Sequence, residues 1–300
     1  MTEFVPIKIN EGVRVSDSIQ YRRFSVADIA AAHALTAELK WPHRPEDWRF
    51  VAGIGEGFVA ERDASVVGTI LCWKYGEHTS SLGMVIVSPS HQGFGIGRKL
   101  TELALEQLGG RATVLHATPA GRPLYEKLGF APVGMLHQHQ GAALQPPLSP
   151  LPPRERLRPL GLNDTPRLIE LASRASGLDR NVVLPALLES AEGIGLDRDG
   201  ELIGFSLFRR FGRGRAIGPV VAPHDEDSVR AKALIGHWLA SNPGMFIRLD
   251  TPAESGLSEW LESLGLTRVD SVVKMVRNAQ HMPPPEHEFA QYGIINQAIG

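Results

Sequence analysis

Gln92-Gly93-Phe94-Gly95-Ile96-Gly97-Arg98 is the stretch of this chain best suited to chemistry. An apolar run, Gly83-Met84-Val85-Ile86-Val87, closed by Ser88-Pro89, precedes it. A helical pattern of Leu100, Leu103, Ala104, Leu105 and Leu108 follows it. Strand, glycine turn and helix in that order build an anion site. Glycine lets the backbone take φ > 0 and approach a ligand closely. The free N–H groups of the first helical turn then point at that ligand, with the positive end of the helix dipole behind them. Such a site wants phosphate or pyrophosphate. A P-loop would need Gly-Lys-Ser/Thr, but Gly97 is followed by Arg98-Lys99-Leu100. A dinucleotide fingerprint would need G-x-G-x-x-G near the start of a βαβ unit, and the spacing here is G-x-G-x-G after several candidate strands.

A third glycine-loop type fits. Gln92-x-x-Gly95-x-Gly97 resembles the Gln/Arg-x-x-Gly-x-Gly/Ala signature of the GNAT N-acetyltransferases, and the run from Met84 to Leu100 is similar to that family's fourth strand, pyrophosphate loop and third helix. Downstream, Ala112 to Thr118 reads as a strand, and Ala120 to Phe130 is similar to the family's "xxYxxxGF" helix, which places its tyrosine at Tyr125. The resemblance implies acetyl-CoA as cosubstrate, with direct transfer of the acetyl group to an amine of a small molecule or peptide. It implies that the backbone of Met84, Val85, Ile86 and Val87 holds the pantetheine arm and that the amides of Gln92, Gly93, Phe94, Gly95, Ile96, Gly97 and Arg98 hold the pyrophosphate. Arg98 and Lys99 are candidate cationic supports, a backbone N–H near Met84 or Val85 would serve the oxyanion, and Tyr125 would protonate the leaving thiolate. No metal enters this scheme.

Transfer needs a neutral amine and a base to take its proton. Thr79-Ser80-Ser81-Leu82-Gly83 carries no carboxylate. His116 on the following strand is the candidate base, on the expectation that its pKa lies near working pH; a packing histidine or a water chain are the alternatives. Trp73 and Tyr75 alternate on the preceding strand and could line the acceptor pocket, or be core. Asp250 is a candidate to bind a cationic amine, or else a turn residue. The lack of an obvious base keeps open a rival function, a non-catalytic acyl-CoA-binding or regulatory module.

These residues need two folded units to position them. The chain has 300 residues, and domains usually hold roughly 100–200. Gln145 to Pro153 is a proline-rich connector, expected to be extended. Beyond it the chain repeats: Asp28 corresponds to Asp164, Gly57 to Gly193, Gly68 to Gly204 and Gly129 to Gly265, each pair 136 residues apart. The reading is therefore an α/β protein with a mixed sheet flanked by helices, as two GNAT-like domains in tandem. Their bounds are 1–144 for the catalytic domain, 145–153 for the linker, 154–282 for a degenerate second domain and 283–300 for a tail. In the second copy Asp227, Val229 and Ala231 stand where Gly93, Gly95 and Gly97 stand in the first, and Leu261 stands for Tyr125. The carboxylates of Asp225, Glu226 and Asp227 would repel pyrophosphate. Only the first domain is expected to bind acetyl-CoA. The tail, with Ile294, Ile295 and Ile299, is too apolar to be free and is expected to dock on the protein or on a symmetry mate, which leaves room for a homodimer.

The bulk properties agree. A formal charge of −2 without a basic run argues against nucleic acid as a partner. The single cysteine, Cys72, excludes an intrachain disulfide framework and reads as a buried small residue. The first residues lack a signal-peptide pattern, and no apolar run approaches the ~20 residues that span a bilayer. A cytoplasmic protein without a membrane partner is the expectation.

Overall fold

The computed structural model describes residues 19–147, 149–284 and 286–300. The first residues of the chain, read above for a targeting signal, lie outside the described residues. The first half runs β1 (Gln20–Arg23), α1 (Ile29–Glu38), α2 (Pro45–Gly53), β2 (Glu56–Arg62), β3 (Ser65–Tyr75), β4 (Thr79–Val87), α3 (Ile96–Leu108), β5 (Ala112–Ala117), α4 (Arg122–Lys127) and β6 (Ala131–Ala142). The second half repeats that order as β7 (Glu155–Pro159), α5 (Thr165–Ser176), α6 (Val183–Leu188), β8 (Glu192–Arg198), β9 (Glu201–Phe211), β10 (Gly214–Pro223), α7 (Val229–Ser241), β11 (Phe246–Pro252), α8 (Ser258–Ser263) and β12 (Thr267–Arg277). One further strand, β13 (Phe289–Gly293), follows.

Local rules explain the repeat. Both long hairpins turn on two residues with positive φ, Asp63 and Ala64 in one and Asp199 and Gly200 in the other, the conformation that suits the twist of the flanking strands. Each half opens its first helix on an aspartate clamped by an arginine from the preceding strand. Arg22 Nη2 lies 2.6 Å from Asp28 Oδ1, and Arg158 Nη1 lies 2.8 Å from Asp164 Oδ2. The α4 and α8 ends repeat too. Phe130 N donates to Tyr125 O and Gly129 N to Glu126 O; Leu266 N and Gly265 N make the same pair of bonds to Leu261 and Glu262. That is the expected glycine-capped helix end.

Among the described residues all thirteen strands form one sheet, in the order β1-β2-β3-β4-β5-β12-β6-β11-β10-β9-β8-β7, with β13 added on β10. The last strand of each half crosses over. β12 pairs antiparallel with β5, and β6 pairs antiparallel with β11 as well as β12. The two halves therefore share backbone hydrogen bonds along their junction. One apolar core also runs through both, joining Trp48, Leu71 and Trp73 to Phe205, Leu207, Ile295 and Ile299. Separate cores lie under α3 and under α7. No helix among the described residues is long and apolar enough to cross a membrane.

Candidate active site

The glycine loop sits at the open end of a split in the sheet. β4 and β5 pair in parallel only from Thr79 to Ser81, against Ala112 to Val114. A bulge then bends β4, with Met84 at φ 52° and the register on β3 shifted between Thr69 and Leu71. Beyond it β4 keeps β3 on one side and, among the described residues, has no strand on the other. An unpaired edge of this kind accepts an extended ligand as an added strand. Val85 and Val87 are half-buried along it, while Met84 and Ile86 are buried in the core. The Met84 carbonyl already accepts from Thr69 Oγ1 at 2.9 Å.

The loop then delivers backbone amides. Gly93 and Gly95 take φ of 84° and 78°, and Gly95 is the left-handed cap of α3. A Cβ at either position would meet nothing within 4 Å, so the space before them is open. Phe94 is 75% exposed. Gln92 does not reach outward: its Nε2 donates to the Val87 carbonyl at 3.1 Å and ties the loop to the strand. Arg98 is exposed and paired with Glu102 at 2.8 Å, so it stands at the rim.

Tyr125 projects from α4 with its ring packed edge-on to Phe130, centroids 5.9 Å apart. The residue is 8% exposed, and burial raises its pKa, which keeps the phenol protonated. None of the described residues is a hydrogen-bond partner of its hydroxyl. His116, on β5, lies 2.9 Å through Nδ1 from the carbonyl of Gln297. Burial lowers its pKa to about 4, so the expectation of a pKa near working pH is corrected: desolvation disfavours the imidazolium.

The equivalent place in the second half is filled. β10 and β11 also pair only briefly, at Arg215 and Ala216, before they part. There β13 enters the split and pairs with β10 from Val220 to Pro223. Ile294 N then donates to Asp250 O on the other side, at 3.0 Å. At the start of α7, Val229 N donates to Asp225 Oδ1 at 2.7 Å, so the chain's own carboxylate occupies the amide that an anion would use. The left-handed position is held by Ser228, at φ 51°, and Val229 is the first helical residue. Gly95 thus corresponds to Ser228 and not to Val229, the residue matched to it from the sequence; the loop before α7 is shorter.

Two models of the acetyltransferase (GNAT) domain match the chain, one over residues 54–132 and one over 168–293. The chain belongs to the GNAT acetyltransferase family. The two matches lie in tandem and take in well over half of the sequence. The uncharacterized N-acetyltransferase YitH of Bacillus subtilis is 26% identical over 272 residues, which cover 89% of this chain and 93% of that protein. A solved structure of a proposed acetyltransferase from Pyrococcus horikoshii shares the fold at TM-score 0.74 and 21% identity, over 98% and 99% of the two chains. A tandem GNAT protein from the clavulanic acid biosynthesis pathway shares it at TM-score 0.60 and 14% identity, over 86% and 98%.

All three acceptor-site candidates of this GNAT protein are engaged elsewhere. Trp73 is buried, with Nε1 donating to Val51 O at 2.9 Å, so it is core and lines no acceptor pocket. Asp250 is buried inside β11 and bound by Arg248, Nη2 to Oδ2 2.6 Å. With its charge already neutralised, it is a poor seat for a cationic amine. Tyr75 is also buried, its hydroxyl 2.8 Å from Ser81 Oγ and donating to Ile299 O at 3.1 Å. Cys72 is buried and its pKa is raised to about 11 by desolvation, as suits a packing residue.

The tail of this GNAT protein is the element whose role sequence reasoning missed. After β13 it turns back to the first half. Ser81 Oγ donates to Ala298 O at 3.2 Å, and Arg180 Nη1 donates to Ile299 O at 2.7 Å. A Cβ on Gly83 would come within 2.9 Å of Ala298 Cα, so glycine is needed there for close approach. The apolar Ile294, Ile295 and Ile299 signalled docking; nothing in sequence signalled where.

Two half-buried, desolvated histidines predict an acid-sensitive fold. His43, like His116, has its pKa lowered to about 4, chiefly by desolvation. Unfolded, each binds a proton near pH 6.5; folded, each binds one only near pH 4. The unfolded chain therefore holds more protons between these values, and stability falls as pH drops through that window. At about 1.4 kcal/mol per pKa unit, and allowing for partial exposure, the loss is roughly 1–3 kcal/mol per histidine. Thermal melts should show the His43→Gln, His116→Gln double variant losing less Tm than the parent between pH 7 and pH 4.5. Parallel curves would refute the assignment.

Proposed function

We propose that this chain is an acetyl-CoA-dependent N-acetyltransferase that acts by direct transfer to an amine, with one active site, in the first half. The observation that carries this is the contrast between the two sheet splits. The first has an open β4 edge and open space before Gly93 and Gly95, while the second is filled by β13 and Asp225. The residues present fit the cosubstrate: an extended arm along Val85 to Val87 and a pyrophosphate on the amides of Gly93 to Arg98.

Acetyl-CoA supplies an activated thioester. Around it, this chain's residues position and stabilise. A backbone N–H beside the Met84 bulge suits the oxyanion, and the protonated Tyr125 suits the departing thiolate. The C–N bond forms, the C–S bond breaks, the amine proton leaves to solvent and the thiolate takes one from Tyr125. His116 is neutral at pH 7, but a pKa of about 4 makes it a weak base, so a water chain is the better route for the amine proton.

Two measurements test this reading. Thiol release from acetyl-CoA should depend on an added amine. Calorimetry should give one acetyl-CoA per chain, because β13 and Asp225 fill the second split, and it is done on the full chain because the exchanged strands β6 and β12 leave neither half complete alone. Two sites per chain would overturn the silent second half. Tight binding without amine-dependent thiol release would favour the acyl-CoA-binding module instead.

A further inference from the structure

With acetyl-CoA in the first split, an acceptor has one face from which to approach. The other face is closed by α3 and α4, where Tyr125 packs in a core with Leu82 of β4 and Leu115 and Ala117 of β5. Side chains alternate along a strand, so Ser81 and His116 point the opposite way, and there the tail lies across the gap. On the β4 lip Ser81 Oγ donates to Ala298 O at 3.2 Å; on the β5 lip His116 Nδ1 donates to Gln297 O at 2.9 Å. A Cβ on Gly83, the residue before the Met84 bulge, would lie 2.9 Å from Ala298 Cα. Between Met84 and Ala298 a cavity of about 10 Å³ remains, room for one water and for no acceptor.

The segment that closes this face is not woven into the sheet. β13 pairs with β10, and Ile294 N donates to Asp250 O on β11. Arg209 Nη2 then holds the Ile295 carbonyl at 2.9 Å. Beyond that point the described backbone bonds stay within the segment, Gly300 N to Asn296 O and Ile295 N to Gly300 O. Asn296 Oδ1 accepts from the amides of Ala298 and Ile299 at 2.8 and 3.1 Å. Residues 296–300 thus form a turn closed on itself. Side chains fasten it: besides Ser81 and His116, the Tyr75 hydroxyl and Arg180 Nη1 donate to Ile299 O at 3.1 and 2.7 Å, and Ile299 packs into the core. An element with its own internal bonds and no strand partner opens at lower cost than the sheet beneath it.

We propose that residues 296–300 are a built-in plug of the acceptor site, which swings out beyond Ile295 before an amine can reach the thioester, so that the tail competes with the acceptor. This rests on the N-acetyltransferase reading above. Competition within the chain has a definite signature. If the site is open for a fraction of the time, the KM for the amine rises by the inverse of that fraction, while kcat at saturating amine stays as it is. Acetyl-CoA, along the β4 edge and the glycine loop, keeps its affinity.

Two experiments on the full chain test this. Ser81→Cys places a thiol under the plug, and Cys72, 2% exposed in the core under α3, serves as the control that only unfolding uncovers. A small methanethiosulfonate reagent, with labelling located by mass, should modify position 81 at least about 100-fold faster than Cys72. Adding Ile299→Ala should speed labelling at position 81 about tenfold, because the opening that exposes it is the one that undocks Ile299. In the second experiment a fixed set of alkyl, aryl and aminoacyl primary amines is offered with acetyl-CoA. Ile299→Ala should lower the amine KM about tenfold and leave kcat and the acetyl-CoA Kd within about threefold. Tyr75→Phe, which removes one bond to the tail and keeps its packing, should lower KM in the same way to a smaller extent, and covers a folding defect in Ile299→Ala. Labelling of position 81 in step with Cys72 would make the tail a fixed part of the fold and overturn the proposal. So would an amine KM that both variants leave unchanged or raise while acetyl-CoA still binds. Absence of amine-dependent thiol release in parent and variants instead strikes the transferase reading, and fast labelling at position 81 would then still support the tail as the movable element.

Discussion

Gly95→Val should abolish acetyl-CoA binding, by at least about 100-fold, while the chain stays folded. Gly95 caps α3 at φ 78°, a conformation that a β-branched residue resists. Beyond its own chain neighbours, no described atom lies within 4 Å of a Cβ built there, so the cost lies in the local backbone rather than in a clash with the rest of the fold. What it disturbs is the aim of the first-turn amides and the open space before them. The cost in stability is that of one strained residue, roughly 1–2 kcal/mol, or a few degrees of Tm in a chain of this size. Calorimetry with acetyl-CoA beside a thermal melt separates the two effects. Retained binding would remove the loop from the site.

Tyr125→Phe should lower kcat by about 100-fold, at the low end of what a positioned proton donor supplies, and change acetyl-CoA affinity by less than about threefold. The ring contact with Phe130 survives the change, and the lost hydroxyl has no hydrogen-bond partner among the described residues. Tm should therefore hold. The raised pKa keeps the donor protonated well into alkaline pH, so no decline in rate from this group is expected near neutrality. Unchanged turnover would assign Tyr125 to packing alone.

The α3 loop was legible in sequence because its requirements are local. Glycine at the two positive-φ positions and an apolar run on either side specify a strand, a turn and a helix start without reference to the rest of the chain. The tandem repeat was legible for a related reason: the same short-range devices recur at one spacing, as in the Arg22–Asp28 and Arg158–Asp164 clamps. Where the reading slipped, a loop of different length was at fault. The register at Ser228 moved by one because the segment before α7 is shorter than the one before α3.

Side-chain roles were less legible, because a residue type does not reveal its neighbours. Asp250 looked free to bind an amine until β11 placed it beside Arg248. His116 looked like a base of ordinary pKa until the tail and β12 covered it, with Gln297 on its Nδ1 and Lys274 opposite it in register. Arg209 drew no notice in sequence, where it is the first of two adjacent arginines near the end of an apolar strand, yet the fold buries it.

Local sequence was enough to say that the chain carries two copies of one fold and that only the first keeps its loop glycines, since both facts follow from backbone conformations that neighbouring residues impose. The exchange of β6 and β12, the entry of β13 into the second split and the return of the tail to Ser81 and Gly83 were settled by tertiary packing. Strand pairing is a contest among distant edges, decided by which one buries the most apolar surface and satisfies the most backbone groups, and no short stretch of residues records that outcome.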